Sequence, residues 1–268
     1  IDSIYFIKSE KNDTYNAYIK INIDKGNIYH FNNIYIKGDN IIKPYYIQNY
    51  LQIYEGTIFC QKKLNRISSL LNNITFLKEI KPYEIIFDTA NTDIFLYIKK
   101  QKANNIDGLL GIIPSTDNSN KMTLIGEIKL NIQNTFYRGE IIKVEWIKPE
   151  NYSQQLNFNF FYPFVFRSMF SINTSLNILK KDTSYINVKQ KLFTYYNISP
   201  VTRLFINIEK FNSNYIRNTE LYQTSYSDIK SNIYGIGINS KLFDYPANPS
   251  KGYNVTININ LNDKQKTK

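Results

Sequence analysis

From about Met122 onward, stretches of roughly ten residues alternate apolar and polar side chains, with short polar turns between them. Between Phe170 and Ile178, Phe170, Ile172, Thr174, Leu176 and Ile178 fall on one face of an extended chain. Ser171, Asn173, Ser175 and Asn177 fall on the other. A strand sends successive side chains to opposite faces, so this segment has one greasy face and one wet face. Its length suits a tilted strand crossing a bilayer. About nine candidate strands run in series, beginning near Asp107, Leu124, Gly139, Gln154, Met169, Tyr185, Thr202, Ile233 and Tyr253. The pattern predicts part of an antiparallel transmembrane β-barrel. A soluble β-sandwich, whose strands also alternate, is the rival.

The charges sort with the polar face. Ile128, Leu130 and Ile132 oppose Glu127, Lys129 and Asn131, and Ile142, Val144 and Trp146 oppose Lys143 and Glu145. Leu204, Ile206 and Ile208 oppose Arg203, Asn207 and Glu209. A Lys or Arg facing lipid near the midplane costs about 2–4 kcal/mol, so a bilayer imposes this sorting. Glu127, Lys129, Lys143, Glu145, Arg203 and Glu209 are therefore expected to face a polar lumen. Lys129 and Glu145, on consecutive strands, are expected to pair there. Phe136, Tyr137, Tyr152, Tyr162, Phe164, Phe166, Tyr195, Tyr196, Tyr245 and Tyr253 lie at predicted strand ends, where an interfacial aromatic belt would sit.

Mean hydropathy of −0.38 does not oppose this reading, because half of each strand of a polar-lumen barrel is hydrophilic. No run of apolar residues is long enough for a transmembrane helix. The net charge of +11 comes from dispersed lysines in a chain rich in Ile, Asn, Lys and Tyr. No nucleic-acid motif accompanies them, and no nucleic-acid partner is expected. A single cysteine, Cys60, precludes an internal disulfide. The single histidine, His30, rules out His-based triads and multi-His metal sites, and no catalytic, cofactor-binding or metal-binding constellation emerges. Gly235-x-Gly237 lacks the third glycine of a dinucleotide fingerprint and reads as small residues facing a lumen.

Residues 1–100 have a different texture. Asn16 to Asp24 alternates, and a second strand carries Ile28, Phe31, Ile34 and Ile36 before Gly38-Asp39-Asn40. Pro44 suits the first turn of a short helix bearing Ile47, Tyr50 and Leu51. Leu64, Ile67, Leu71 and Ile74 mark one face of a second helix, about Cys60 to Asn73. Strands from about Ile80 to Asp88 and Asp93 to Lys100 complete a small α+β module.

The strand ending Ile34-Tyr35-Ile36-Lys37-Gly38-Asp39-Asn40, followed by Leu51, Gly56-Thr57-Ile58-Phe59, Leu64, Leu71 and Phe76, resembles a polypeptide-transport-associated (POTRA) domain. Gly126 through Trp146, with Asn134-Thr135-Phe136 and Arg138-Gly139-Glu140, resembles the first barrel hairpin of outer-membrane assembly factors of the BamA type. Tyr162-Pro163-Phe164 and Phe243-Asp244-Tyr245-Pro246, then Asn248-Pro249-Ser250-Lys251-Gly252, are similar to turns of that family. The resemblance implies the end of a preceding POTRA module over 1–25, a POTRA domain over 26–102, and the N-terminal part of an outer-membrane β-barrel over 103–268. The family's barrels have more strands than the nine here, and its later arginine-glycine-aromatic loop motif has no counterpart. The chain, beginning at Ile1 and ending in the Lys-rich run Asp263 to Lys268, reads as a piece of a longer protein.

The resemblance further implies a non-enzymatic factor that inserts β-barrel proteins into the bacterial outer membrane, with its POTRA part in the periplasm. Unfolded outer-membrane protein clients, outer-membrane lipid and accessory assembly subunits would be its partners. A module of this type leaves a sheet edge to which an extended client can add as a strand. Gly108 and Gly111 in the first barrel strand are the expected weak barrel seam. Two alternatives stay open: a two-partner-type secretion pore, and the membrane anchor of a patatin-like phospholipase.

Overall fold

A computed structural model describes residues 3–8, 15–21, 26–114, 122–150, 152–182, 184–216, 228–243 and 249–267. β1 (Ser3–Lys8) and β2 (Tyr15–Lys20) form an antiparallel pair. An α+β module follows: β3 (His30–Gly38), α1 (Pro44–Leu51), α2 (Gln61–Leu64), α3 (Ile67–Asn72), β4 (Leu77–Asp88) and β5 (Asn91–Lys100). The remainder is a meander of nine strands: β6 (Asn105–Pro114), β7 (Met122–Gln133), β8 (Ile141–Lys148), β9 (Gln154–Tyr162), β10 (Phe170–Lys181), β11 (Tyr185–Asn197), β12 (Thr202–Tyr215), β13 (Asp228–Phe243) and β14 (Gly252–Thr267).

In the module β5 lies between β3, parallel to it, and β4, antiparallel to it. The helices cover one face. Ile47 and Leu51 on α1, Leu64 on α2, and Ile67 and Leu71 on α3 pack with Phe31, Ile94, Leu96 and Ile98 into a closed core. Truncating such a residue to Ala costs about 2–5 kcal/mol. The single helix expected over Cys60 to Asn73 is instead two short ones. The regular helix is interrupted at Asn65 and Arg66, the latter at φ −97° and ψ −8°, and Leu64 and Ile67 on either side of the break are both buried in the core.

Each strand from β6 to β14 pairs antiparallel with its sequence neighbour, the pattern that short turns permit. Among the described residues, β6 and β14 are each paired on one side only. Burial on this sheet runs opposite to that of a soluble domain. On β12, Asn207 is 0% exposed whereas Ile206 beside it is 60% exposed. Ser171 and Ser231 are likewise buried, while Ile236, Ile257 and Ile259 on neighbouring strands stand open. Polar side chains predominate on the crowded, concave face and apolar ones on the open, convex face. A β-sandwich requires the reverse, because its apolar faces pack on each other. A broad exposed apolar face of this kind is stable against hydrocarbon and not against water. Among the described residues no helix is long and apolar enough to cross a membrane.

Candidate functional site

Three features of the fold bear on function: the concave wall, the free strand edges, and the joint between module and sheet.

The concave wall is a set of polar rows running across the strands. Asp107, Lys129, Glu145, Asn157, Asn177 and Lys189 are direct register partners in succession from β6 to β11. Within this row Lys129 Nζ lies 3.6 Å from Glu145 Oε1 and also pairs with Glu127. Asn157 Nδ2 donates to the other Glu145 oxygen at 2.8 Å, and Asn177 donates to Asn157. Lys143 lies in the adjacent row, beside Asn131 and Asn159, and lines the same hollow of about 530 Å³. Glu209 meets Lys189 at 3.3 Å and Lys191 at 3.4 Å. Arg203 stacks 4.2 Å over the Tyr195 ring and donates to Asn239 Oδ1 at 3.3 Å. The structure thus joins Glu127, Lys129 and Glu145 into one ion cluster and leaves Arg203 and Glu209 in separate groups. Lys189 and Lys191 were not singled out from the sequence. Their period-two spacing opposite Glu209 in the next strand was the available signal.

Gly235 and Gly237 face the same side. A Cβ on Gly235 would lie 2.5 Å from Asn207 Oδ1, and one on Gly237 would lie 2.5 Å from the Phe205 ring. The two glycines make room for the buried Asn207 and Phe205.

The free edges are unequal. In the module, β3 is partly covered, because Phe31 N–H donates to Thr57 O at 2.8 Å and Phe59 N–H to Tyr29 O at 2.9 Å. The outer edge of β4 has no strand beside it among the described residues. Pro82 lies in a stretch of β4 where the register with β5 shifts, and a proline is tolerated on an edge because no ladder partner needs its N–H. In the sheet, Gly108 and Gly111 lie on the single-sided strand β6. A Cβ on Gly108 would come within 3.0 Å of the Glu127 carbonyl oxygen, whereas one on Gly111 would make ordinary contact with Ile125.

The joint is made by α1 and the loop before it, which meet three successive turns on one rim of the sheet. In the β7–β8 turn, Asn134 Oδ1 accepts from Gly139 N–H at 2.9 Å, and the buried Glu140 carboxylate accepts from Phe136 and Arg138 N–H. That turn receives the module: Asn134 Nδ2 donates to Ile41 O at 2.7 Å and Lys43 N–H to Tyr137 O at 3.0 Å. At the β9–β10 turn, Asn49 Nδ2 donates to Arg167 O at 3.0 Å. At the β11–β12 turn, Gln52 Nε2 donates to Ile198 O at 3.0 Å. The Tyr46 ring closes the joint against Phe164, with Gly139 directly beneath it. A cavity of about 380 Å³ remains between α1 and the concave mouth, lined by Tyr46, Asn49, Phe161 and Arg203 among others.

The aromatic belt needs two corrections. Phe164 is buried in the module's core, and Tyr195 faces the concave side among Phe161, Phe193 and Phe205. Both lie where the module meets the wall, so packing there overrides the preference of rings for an interface. Phe136, Tyr137, Phe166, Tyr196 and Tyr253 are exposed. Tyr245 and the Asp244-Tyr245-Pro246 turn fall outside the described residues.

A family model for the POTRA domain, described as surface antigen variable number repeat, matches residues 29–101. Comparison with curated proteins gives no match. Among solved structures, BamA from Haemophilus ducreyi lacking POTRA domains 1-3 is similar at 12% identity with a TM-score of 0.52, over 97% of this chain and 53% of that one. CdiB from Acinetobacter baumannii aligns at 13% identity with a TM-score of 0.49, over 88% of this chain and 46% of that one. The chain spans about half the length of the BamA structure that it matches. It carries a POTRA domain at residues 29–101 and, over nearly its whole length, the fold of a BamA-type POTRA and β-barrel protein.

Proposed function

We propose that this chain is part of a non-enzymatic outer-membrane factor that assembles and inserts β-barrel proteins, with its POTRA domain in the periplasm. The observation that carries the reading is the inverted burial of the nine-stranded wall, joined directly to a POTRA domain. Apolar side chains outside and buried amides inside suit a wall between lipid and water. Among the strand edges open in the described residues, those of β4 and β6 are the proposed places for an unfolded client to add as a strand. Main-chain hydrogen bonding at such edges tolerates many client sequences. In hydrocarbon an unpaired edge costs several kcal/mol per orphaned group, so an unpaired β6 gains from a new partner. Gly108 and Gly111 keep that strand weakly held and easily bent. Outer-membrane lipid and accessory subunits complete the proposed set of partners.

The test is reconstitution of the full-length protein in liposomes, with a urea-denatured outer-membrane β-barrel protein as client. Folding is read as the fraction that migrates as a compact, detergent-resistant barrel on unheated gels. The reading expects faster client folding than in empty liposomes. Equal rates would contradict it. Transport of a single exoprotein into the liposome lumen without client folding would instead favour the secretion-pore reading.

A further inference from the structure

Three cations converge on the outer side of the rim where the POTRA domain meets the wall. Lys43, Arg138 and Arg167 line one cavity of about 610 Å³ together with Tyr45, Tyr162 and Phe166. Among the described residues none of the three cations enters an ion pair. The hollow opens on the convex side, because Tyr162 pairs with Ile172 and shares a face with Phe158 and Phe160. Its guanidinium groups are held by rings: Arg138 Nη1 donates to the Tyr162 hydroxyl at 2.8 Å, and Arg167 lies 5.8 Å from the Tyr45 ring centroid.

Phe166, beside this hollow, is 96% exposed. Phe164, Phe166 and Arg167 hold φ of 51°, 54° and 60°, a region that bulky residues rarely adopt. The turn is therefore strained, and it buries Phe164 while leaving Phe166 outside. An exposed apolar ring next to cations outside any ion pair, at the end of an apolar wall, is the arrangement found where protein meets lipid headgroups.

We propose that this hollow binds the headgroup of an anionic phospholipid, with Arg138 and Arg167 taking the phosphate oxygens and Phe166 reaching the acyl-chain boundary. Guanidinium forks match phosphate geometry, and Lys43 adds a third positive charge. The cavity is much larger than a bare phosphate needs, and Phe166 gives the acyl side of the ligand a partner. The inference rests on the reading that the convex face contacts lipid.

The experiment is native mass spectrometry of the full-length protein released from micelles doped with dioleoyl phosphatidylglycerol or dioleoyl phosphatidylcholine. The expected result is selective retention of phosphatidylglycerol by roughly tenfold, as charge near an anionic headgroup implies. Retention should fall by a similar factor in R138Q/R167Q. Because the Arg138 side chain also ties its turn to Tyr162 of β9, K43Q and R167Q are measured singly, and each should lower retention with unchanged detergent resistance. Equal retention of the two lipids, or unaltered retention in all the variants, would overturn the proposal. So would complete displacement by inorganic phosphate, which would make this a free-phosphate site. A protein that enters bilayers without this selectivity refutes only the headgroup site, whereas one that stays out of bilayers refutes the lipid-facing wall.

Discussion

The ring of Tyr46 on α1 stands edge-on to the ring of Phe164 in the β9–β10 turn, with centroids 5.4 Å apart and planes at 77°. One aromatic contact thus ties the POTRA domain to the wall, and it is confined from below, since a Cβ on Gly139 would lie 2.1 Å from Tyr46 Cε2. Gly139 also holds φ at 78°, so a side chain there is strained as well as crowded.

Gly139→Ala and Phe164→Ala should each release α1 from the rim. Loss of a buried Phe costs about 3–5 kcal/mol, enough to open a joint made otherwise of a few hydrogen bonds. The readout is a short bis-maleimide crosslink between Gln52→Cys and Ile198→Cys in a Cys60→Ser background. The crosslink should form in the parent and drop in both variants. Undiminished crosslinking would show that the remaining hydrogen bonds of Asn49, Asn134 and Lys43 suffice to hold the domain.

The same joint should be sensitive to alkali. Burial pushes the Tyr50 hydroxyl up to about 12 and raises that of Tyr46 too, where Tyr50 and Glu140 add to the effect. A raised value means that the folded state holds the proton more tightly. The contribution to stability is therefore complete below pH about 10, where unfolded tyrosines are still neutral. It is lost as the pH rises through 12. Urea midpoints of the POTRA domain should fall steeply over that interval, and Y46F/Y50F should flatten the fall. An identical slope in the double variant would assign the effect elsewhere.

Much of this architecture is legible in period-two alternation. Nine expected strands correspond to nine observed ones, and the faces of Ile206 and Asn207, or Ile128 and Lys129, follow from parity alone. The joint is not legible, because Asn49 and Gln52 bond to backbone carbonyls, which leave no trace in the sequence of their partners. Phe193, Tyr195 and Phe205, packed against one another, break the polar pattern of the concave face. Parity says which residues share a face, not that part of the face near the rim packs aromatic rings. The split between α2 and α3 is equally hidden, because apolar spacing continues across it.

The two seam glycines should not behave alike. A side chain at Gly111 makes only ordinary contact, so Gly111→Val should strengthen β6 by up to about 1 kcal/mol and slow client insertion. At Gly108 the 3.0 Å approach to the Glu127 carbonyl makes valine strained, and part of that gain should be lost. Insertion rates in the liposome assay decide the matter. An unchanged rate for Gly111→Val would reject the role given to this strand.

In the proposed arrangement lipid lies against the convex face and water against the concave one. Ile206, on the convex face, and Ser175, lining the concave hollow, report on the two sides. Each is replaced by Cys in the Cys60→Ser full-length protein, labelled with an environment-sensitive fluorophore and reconstituted in bilayers containing brominated phospholipid. The label at position 206 should be quenched by the lipid and spared by iodide, and the label at position 175 should show the opposite. Equal quenching at the two positions, or the reverse order, would contradict it.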